Sequence, residues 1–240
     1  MVDYRKLRFN NLNSPQFRHL LMLLWWPLYG VLFYTLEKVP ALAQFSFFGE
    51  YKDVYCRWDA EIPFCEWFFI PYLFWFVLIV AMHGYTLFFD IPAFKKMMKF
   101  FMITYTSTLV IYFLFPTEQN LRSEIVSVGR DNILIDWINS FYQFDTNTNV
   151  CPSLHVIGTW ASVYGAFQCK PFRKPTWVVI LTVIGISICM STVFLNQHSI
   201  IDVFVAIPLC VAATFLSGWE PLKKRKAKLQ AQQAKLQAQQ

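Results

Sequence analysis

Six apolar stretches separated by polar segments divide the chain. They cover residues 20–36, 68–89, 100–115, 156–168, 177–194 and 200–217. A helix needs ~20 mainly apolar residues to cross the ~30 Å hydrocarbon core of a bilayer, and most of the stretches are close to that length. The fourth is short unless the helix begins near residue 153. The pattern predicts an all-α membrane protein with a bundle of six transmembrane helices.

The composition supports a membrane protein rather than a soluble domain. Hydrophobic residues make up 56% of the 240 residues, charged residues only 15%, and 25 residues are Phe. Lipid-facing helices and their interfacial ends use aromatic residues in this abundance. The organisation we predict is a cytoplasmic segment at 1–19, a membrane domain at 20–219 and a basic, Gln-rich cytoplasmic tail at 220–240. No cleavable signal peptide is recognisable before the first apolar stretch.

The net charge of +6 is unevenly distributed. Most Lys and Arg residues lie in the two terminal segments and in the short polar segments at 95–99 and 170–174. Positive residues stay in the cytoplasm, so we expect both termini there and the segments 37–67 and 116–150 outside. The distribution favours anionic membrane lipids over nucleic acid as the partner. It predicts a multi-pass protein of the cell membrane and leaves the oligomeric state open.

Two segments, 151–155 and 191–202, carry most of the chemical information. Each contains a histidine, His155 and His198, and Asp202 follows the second by four residues. On a helix this spacing places the Asp and the His on the same face. A histidine oriented by a carboxylate, with a second histidine nearby, can provide a nucleophile and a general acid. The predicted topology brings both segments to the external face.

The same segments resemble two motifs of the type 2 phosphatidic acid phosphatase (PAP2) superfamily, Pro-Ser-Gly-His and Ser-Arg-x5-His-x3-Asp. The matching residues are Pro152, Ser153, His155, Ser191, His198 and Asp202. Leu154 replaces the Gly, which is similar to the Ser-Leu-His form of inositol phosphorylceramide synthase-like proteins. Thr192 stands where the superfamily has Arg. A remnant of the first motif, Lys-x6-Arg-Pro, has Phe115 at the Lys position and Arg122 at the Arg position.

The resemblance implies a six-helix fold of the PAP2 type and phosphoryl transfer through a phosphohistidine, with no metal or cofactor. His198 would be the nucleophile, Asp202 would orient it, and His155 would protonate the leaving alcohol. Ser153 and Arg122 would bind phosphate, with help from a residue such as Asn196, Gln197 or Arg57. The implied substrate is a lipid phosphate or pyrophosphate, hydrolysed at the extracytoplasmic face.

Other interpretations remain open at this point. The chain is also compatible with a lipid phosphotransferase that uses an alcohol acceptor, and with a non-catalytic transporter or scaffold. The pair of His198 and Asp202 could simply stabilise a helix start, and Arg122 could be an ordinary loop cation. Ser153 could be a helix N-cap. Cys56 and Cys65 either form a disulfide or are isolated thiols, and the role of the segment 59–72, which also resembles Ser-Leu-His-type members, is open.

Overall fold

The computed structural model describes residues 2–122 and 129–218, and this part of the chain is mainly helical. The α-helices are α1 Trp25–Lys38, α2 Phe69–Phe89, α3 Ile91–Leu114, α4 Ile133–Phe144, α5 Leu154–Gln168, α6 Pro175–Phe194 and α7 Ile200–Leu216. The longer 3-10 helices are Arg18–Leu24, Pro40–Phe45 and Arg57–Glu61. Two short parallel strands, β1 Lys52–Asp53 and β2 Thr117–Glu118, pair with each other. The predicted tail at 220–240 lies outside the described residues.

Helix is present in all six predicted stretches, but not all of these helices have the length of a membrane span. Four helical segments are long and apolar enough to cross a bilayer: Arg18–Lys38, Glu66–Phe89, Ile91–Leu114 and Pro175–Phe194. Helix α7 is apolar but shorter, and α5 has only 15 residues. At 1.5 Å per residue α5 is roughly 22 Å long. The helical, membrane-compatible class is therefore established, while the count of six spans and the side of the termini stay predictions.

The helix boundaries follow local rules that override the apolar pattern. Helix α3 begins nine residues before the predicted stretch because Asp90 accepts a hydrogen bond from the Ala93 N–H at 3.1 Å and Pro92 occupies its first turn. Both are favourable helix starts. Pro27 does not break α1, since it lies in the first turn and the preceding residues form a 3-10 helix. The expected short helix after α1 is the 3-10 helix Pro40–Phe45.

Helix α5 occupies the centre of the bundle, and α2, α3, α6 and α7 all pack against it. Glycines allow two of these approaches. A Cβ added to Gly165 would lie 2.4 Å from the Met97 sulfur of α3, and one added to Gly185 of α6 would lie 3.3 Å from the Thr159 Cγ2. The fully buried aromatic residues Phe94, Phe100 and Phe101 of α3 fill the same core. This close packing fixes the position of the first turn of α5, which carries His155, relative to the neighbouring helices.

The long connections collect at one end of this bundle, around the first turns of α5 and α7. The Phe47 N–H donates to the Leu114 carbonyl at 3.0 Å, and the Cys65 N–H donates to the Phe194 carbonyl at 2.9 Å. Helix α4, which the apolar pattern did not predict, belongs to the same end. It is amphipathic, with Ile135 and Ile138 buried and Asp136 and Ser140 exposed. The polar segment at 95–99 lies in the first turns of α3 and the segment at 170–174 follows α5, so both are at the opposite end.

Candidate active site

The two histidine-bearing segments meet where α5 and α7 begin. The Ser153 N–H, at the start of α5, donates to the Asp202 carbonyl in the first turn of α7 at 3.1 Å. A tight turn joins α6 to α7, in which the N–H groups of Gln197 and His198 donate to the Thr192 carbonyl at 2.9 and 3.0 Å. The contact between Ser153 and Asp202 brings together segments that are more than forty positions apart in sequence, and Arg122 joins them through Gln197. Five predicted side chains therefore share one region: those of Arg122, Ser153, His155, His198 and Asp202.

His198 and Asp202 form a buried pair. The His198 Nδ1 lies 3.0 Å from the Asp202 Oδ2, and the Asp202 side chain has no exposed surface. The same carboxylate oxygen accepts a hydrogen bond from the Ser199 N–H at 3.2 Å, so that Asp202 also caps its own helix. With Nδ1 held by the carboxylate, the Nε2 of His198 is the nitrogen left to react with a ligand.

His155 lies between two aromatic rings and faces His198. Its ring centroid is 4.5 Å from that of Tyr72 and 4.4 Å from that of Trp75. The centroid distance between the two histidine rings is 5.6 Å, with an interplanar angle of 69°. Both ring nitrogens of His155 are buried without a hydrogen-bond partner among the described residues. An unpaired buried polar group is costly, so a ligand that hydrogen-bonded to these nitrogens would be stabilised here.

Arg122 extends over the same region but is largely engaged with the protein. Its guanidinium donates to the carbonyls of Asp145 at 2.7 Å and Thr146 at 2.8 Å, and to the side chain of Gln197. It also stacks on Tyr142, with the guanidinium carbon 4.5 Å from the ring centroid. Burial lowers the pKa of Arg122, and the Asp145 carboxylate offsets part of that effect. The group keeps its positive charge at neutral pH, and its Nε has no partner in the described chain.

Two further side chains, those of Ser153 and Cys151, lie beside the histidine pair, and that of Ser153 has unused polar capacity. The Ser153 hydroxyl is buried and lacks a hydrogen-bond partner within the described residues. It precedes α5 as its N-cap residue, yet its side chain makes no capping hydrogen bond. The Cys151 thiol lies next to Asp202, and burial, followed by that carboxylate, raises its pKa. A protonated thiol at this position donates to Asp202 and does not compete with His198 as nucleophile.

A cavity of about 360 Å³ opens onto both histidines. Its walls come from α1, from the turn before α7 and from the segment 143–150. Glu37 lies in this wall, where its carboxylate accepts hydrogen bonds from Thr146, Thr148 and Asn149. A larger groove of about 1000 Å³ between α5, α6 and α7 is almost entirely apolar and contains neither histidine. The smaller cavity is the one with groups that can react.

Several residues outside the predicted set shape the site. Tyr72 packs against His155 with its ring tilted by 34° and donates its hydroxyl to the Asp145 carboxylate. Thr192, at the position where the resemblance expects Arg, contributes its carbonyl to the turn, while its own hydroxyl donates to the Cys189 carbonyl at 2.8 Å. The sequence could have pointed to Tyr72 through its place in the segment 59–72. It could not have pointed to the Thr192 carbonyl, because a backbone group is independent of the type of side chain.

Of the three expected helpers, Gln197 lines the cavity, whereas Asn196 and Arg57 do not act as phosphate-binding groups. Asn196 donates its amide to the Leu121 carbonyl at 3.2 Å. Arg57 is exposed and does not line the cavity. Cys56 and Cys65 are not joined by a disulfide. In the part of the chain that the structure describes, no three His, Cys, Asp or Glu side chains converge as ligands of a metal ion.

Relatives give no independent guide to this site. Comparisons with family models, with curated proteins and with solved structures found no match to this chain. The functional argument therefore depends on the geometry of the site and on the resemblance of its motifs.

Proposed function

We propose that this protein is an integral membrane lipid phosphatase of the PAP2 type, which hydrolyses a lipid phosphate or pyrophosphate through a phosphohistidine. The observation that carries the proposal is the concentration of unpartnered buried polar atoms around the histidine pair. The Arg122 Nε, the Ser153 hydroxyl and both nitrogens of His155 belong to this group. Buried polar atoms are normally satisfied, and these N–H, O–H and ring-nitrogen groups are of the kinds that hydrogen-bond phosphoryl oxygens.

The reaction is assigned to the side chains as follows. The His198 Nε2 attacks phosphorus while Asp202 accepts the hydrogen bond from Nδ1 and stabilises the positive charge that develops on the ring. The bond between phosphorus and the leaving oxygen breaks, and His155 gives that oxygen a proton. Water, deprotonated by His155, then attacks the phosphohistidine, which releases phosphate and regenerates His198.

Anion binding in this site depends on few charges. Arg122 supplies one guanidinium, and the backbone at the start of α5 adds the positive end of a helix dipole. The Ser153 N–H is already bound to the Asp202 carbonyl, so the Ser153 hydroxyl is the group at that helix end that remains for a ligand. Positions 115 and 192 hold Phe and Thr, so neither adds a positive charge to the site.

The test is phosphate release by the purified protein in detergent, with a chelator present, from a panel of lipid phosphates and pyrophosphates. We expect release by the wild type, none from His198→Ala, and wild-type release from His83→Gln. His83 is a suitable control because it lies on α2 about 12 Å along the helix from Trp75 and is hydrogen-bonded to Trp26. Retained turnover in His198→Ala would reject the assigned nucleophile.

The same assay separates the proposal from a lipid phosphotransferase. The phosphohistidine is common to both reactions, and only the acceptor differs. Product formation that requires an added alcohol and a phospholipid donor, and is lost in His198→Ala, would assign transfer. A folded wild-type protein with neither activity on these panels would contradict an enzymatic role and support the non-catalytic scaffold.

A further inference from the structure

The carboxylate of Asp59 reaches from the connection between α1 and α2 to the start of α7. Asp59 lies in the 3-10 helix Arg57–Glu61 and is only 4% exposed. Its Oδ2 accepts a hydrogen bond from the Ser199 hydroxyl at 2.7 Å, and its Oδ1 accepts one from the Ile200 N–H at 2.9 Å. Both donors immediately follow His198 in the chain. A buried carboxylate more than 130 residues away in sequence is therefore attached to the turn that presents the nucleophile.

The contacts of Ser199 connect this carboxylate to the histidine pair. The Ser199 N–H donates to the same Asp202 oxygen that lies 3.0 Å from the His198 Nδ1. The Ser199 hydroxyl donates to Asp59 and accepts from the Ile201 N–H at 3.2 Å. Asp59, Ser199, Asp202 and His198 thus form one continuous hydrogen-bonded chain. Fixing Ser199 at both its hydroxyl and its N–H fixes the direction of the histidine ring.

The segment around Asp59 is itself packed against the helix bundle. The Asp59 carboxylate is therefore held in place by the fold and is not carried on an unconstrained loop. The Cys56 N–H donates to the Asp59 Oδ2 at 2.8 Å. The Cys65 N–H donates to the Phe194 carbonyl at the end of α6, and Phe68 stacks on Phe194 with a centroid distance of 4.4 Å. The two carboxylates of Asp59 and Asp202 also lie at the N-terminus of α7, where the helix dipole favours negative charge.

We infer that Asp59 is a positioning residue for His198, acting through Ser199 and the first turn of α7. The inference depends on the proposed function, because it assigns Asp59 a role in the rate of phosphohistidine formation. It also gives a role to the segment 59–72. Asp59 at its start holds the nucleophile, and Tyr72 at its end packs against the general acid. Hydrogen-bond partners of this indirect kind typically change activity by about 10- to 100-fold when they are removed.

The test compares Asp59→Ala, Asp59→Asn and the control Asp53→Ala in the full-length protein. Asp53 is exposed in β1 at the same end of the bundle. We expect Asp59→Ala to lower kcat about 10- to 100-fold with KM unchanged, because Asp59 does not touch the substrate. Asp59→Asn should recover part of the loss, since its carbonyl oxygen can still accept from Ser199. Wild-type kcat in a folded Asp59→Ala protein would overturn the inference.

Combining Asp59→Ala with Ser199→Ala tests the route. If Asp59 acts through Ser199, the two losses in kcat will be less than multiplicative, whereas independent losses will multiply and contradict the assignment. Amide hydrogen exchange of residues 199–202 provides a readout that needs no substrate. Faster exchange in Asp59→Ala is expected, and unchanged exchange would refute the positioning role. If the wild type shows no turnover, the proposed function fails, and the exchange result still decides whether Asp59 holds this turn.

Discussion

Replacing Asp202 by Asn isolates the charge of the carboxylate from its shape. The Asn side chain has the same size, and its carbonyl oxygen can take the place of the Asp202 Oδ2. It can then accept from the His198 Nδ1, at 3.0 Å in the wild type, and from the Ser199 N–H, at 3.2 Å. We therefore expect Asp202→Asn to fold and to keep the cap of α7. What it loses is the negative charge next to the attacking ring.

The size of the effect follows from the geometry of the pair. When His198 attacks phosphorus, its ring becomes positive and interacts with the buried carboxylate. Two unit charges ~4 Å apart attract by about 4 kcal/mol at an effective dielectric constant of ~20. The neutral hydrogen bond that remains in Asp202→Asn restores about 1 kcal/mol of this. A net loss of about 2–4 kcal/mol corresponds to a decrease in kcat of roughly 30- to 1000-fold.

The assay is steady-state phosphate release together with rapid quenching of the labelled, acid-labile phosphoenzyme. KM should remain close to the wild-type value, because Asp202 contacts His198 and the protein backbone rather than the ligand cavity. Asp136→Asn is the matched control, since Asp136 is an exposed carboxylate on α4 at the same end of the bundle. A kcat within about threefold of wild type in Asp202→Asn, which is below 1 kcal/mol, would refute the role of the charge.

The helical class and the pair of His198 and Asp202 were accessible from sequence because both depend on short-range spacing. Apolar stretches report burial or lipid exposure directly, and a spacing of four places two side chains on one helix face. The residues at which helices begin and end were harder to predict from the sequence. Helix α3 starts before its apolar stretch because the cap at Asp90 outweighs the polarity of the lysines in its first turns. Helix α4 was missed because it has only 12 residues and polar residues interrupt its apolar ones.

The remaining parts of the site depend on long-range contacts that leave little trace in sequence. Arg122 was predicted to bind phosphate, but the structure shows most of its donors bound to the carbonyls of the segment 142–146. No pattern in the chain indicates which carbonyls a guanidinium will meet. Thr192 contributes its backbone carbonyl rather than its side chain, and a motif of side chains cannot report that role. Asp59 is similar, because only the fold shows that it contacts Ser199.

Two substitutions test the packing behind the histidines and the anchoring of the cavity wall. An added Cβ at Gly158 would lie 2.9 Å from the Trp75 indole. Gly158→Ala should therefore displace the ring that packs against His155 and reduce activity by about tenfold or more. Gly84→Ala should have no effect, because nothing lies within 4 Å of its added Cβ, and equal activities would refute the packing argument. Arg122→Lys keeps the charge but loses the planar fork that binds two carbonyls and Gln197 at once. Each buried acceptor left unpaired costs about 1–3 kcal/mol, so thermal unfolding in detergent should begin at a lower temperature and kcat/KM should fall as well. If the unfolding temperature were unchanged and only KM rose, the main role of Arg122 would be to bind phosphate. Its role as an anchor of the segment 142–146 would then be rejected.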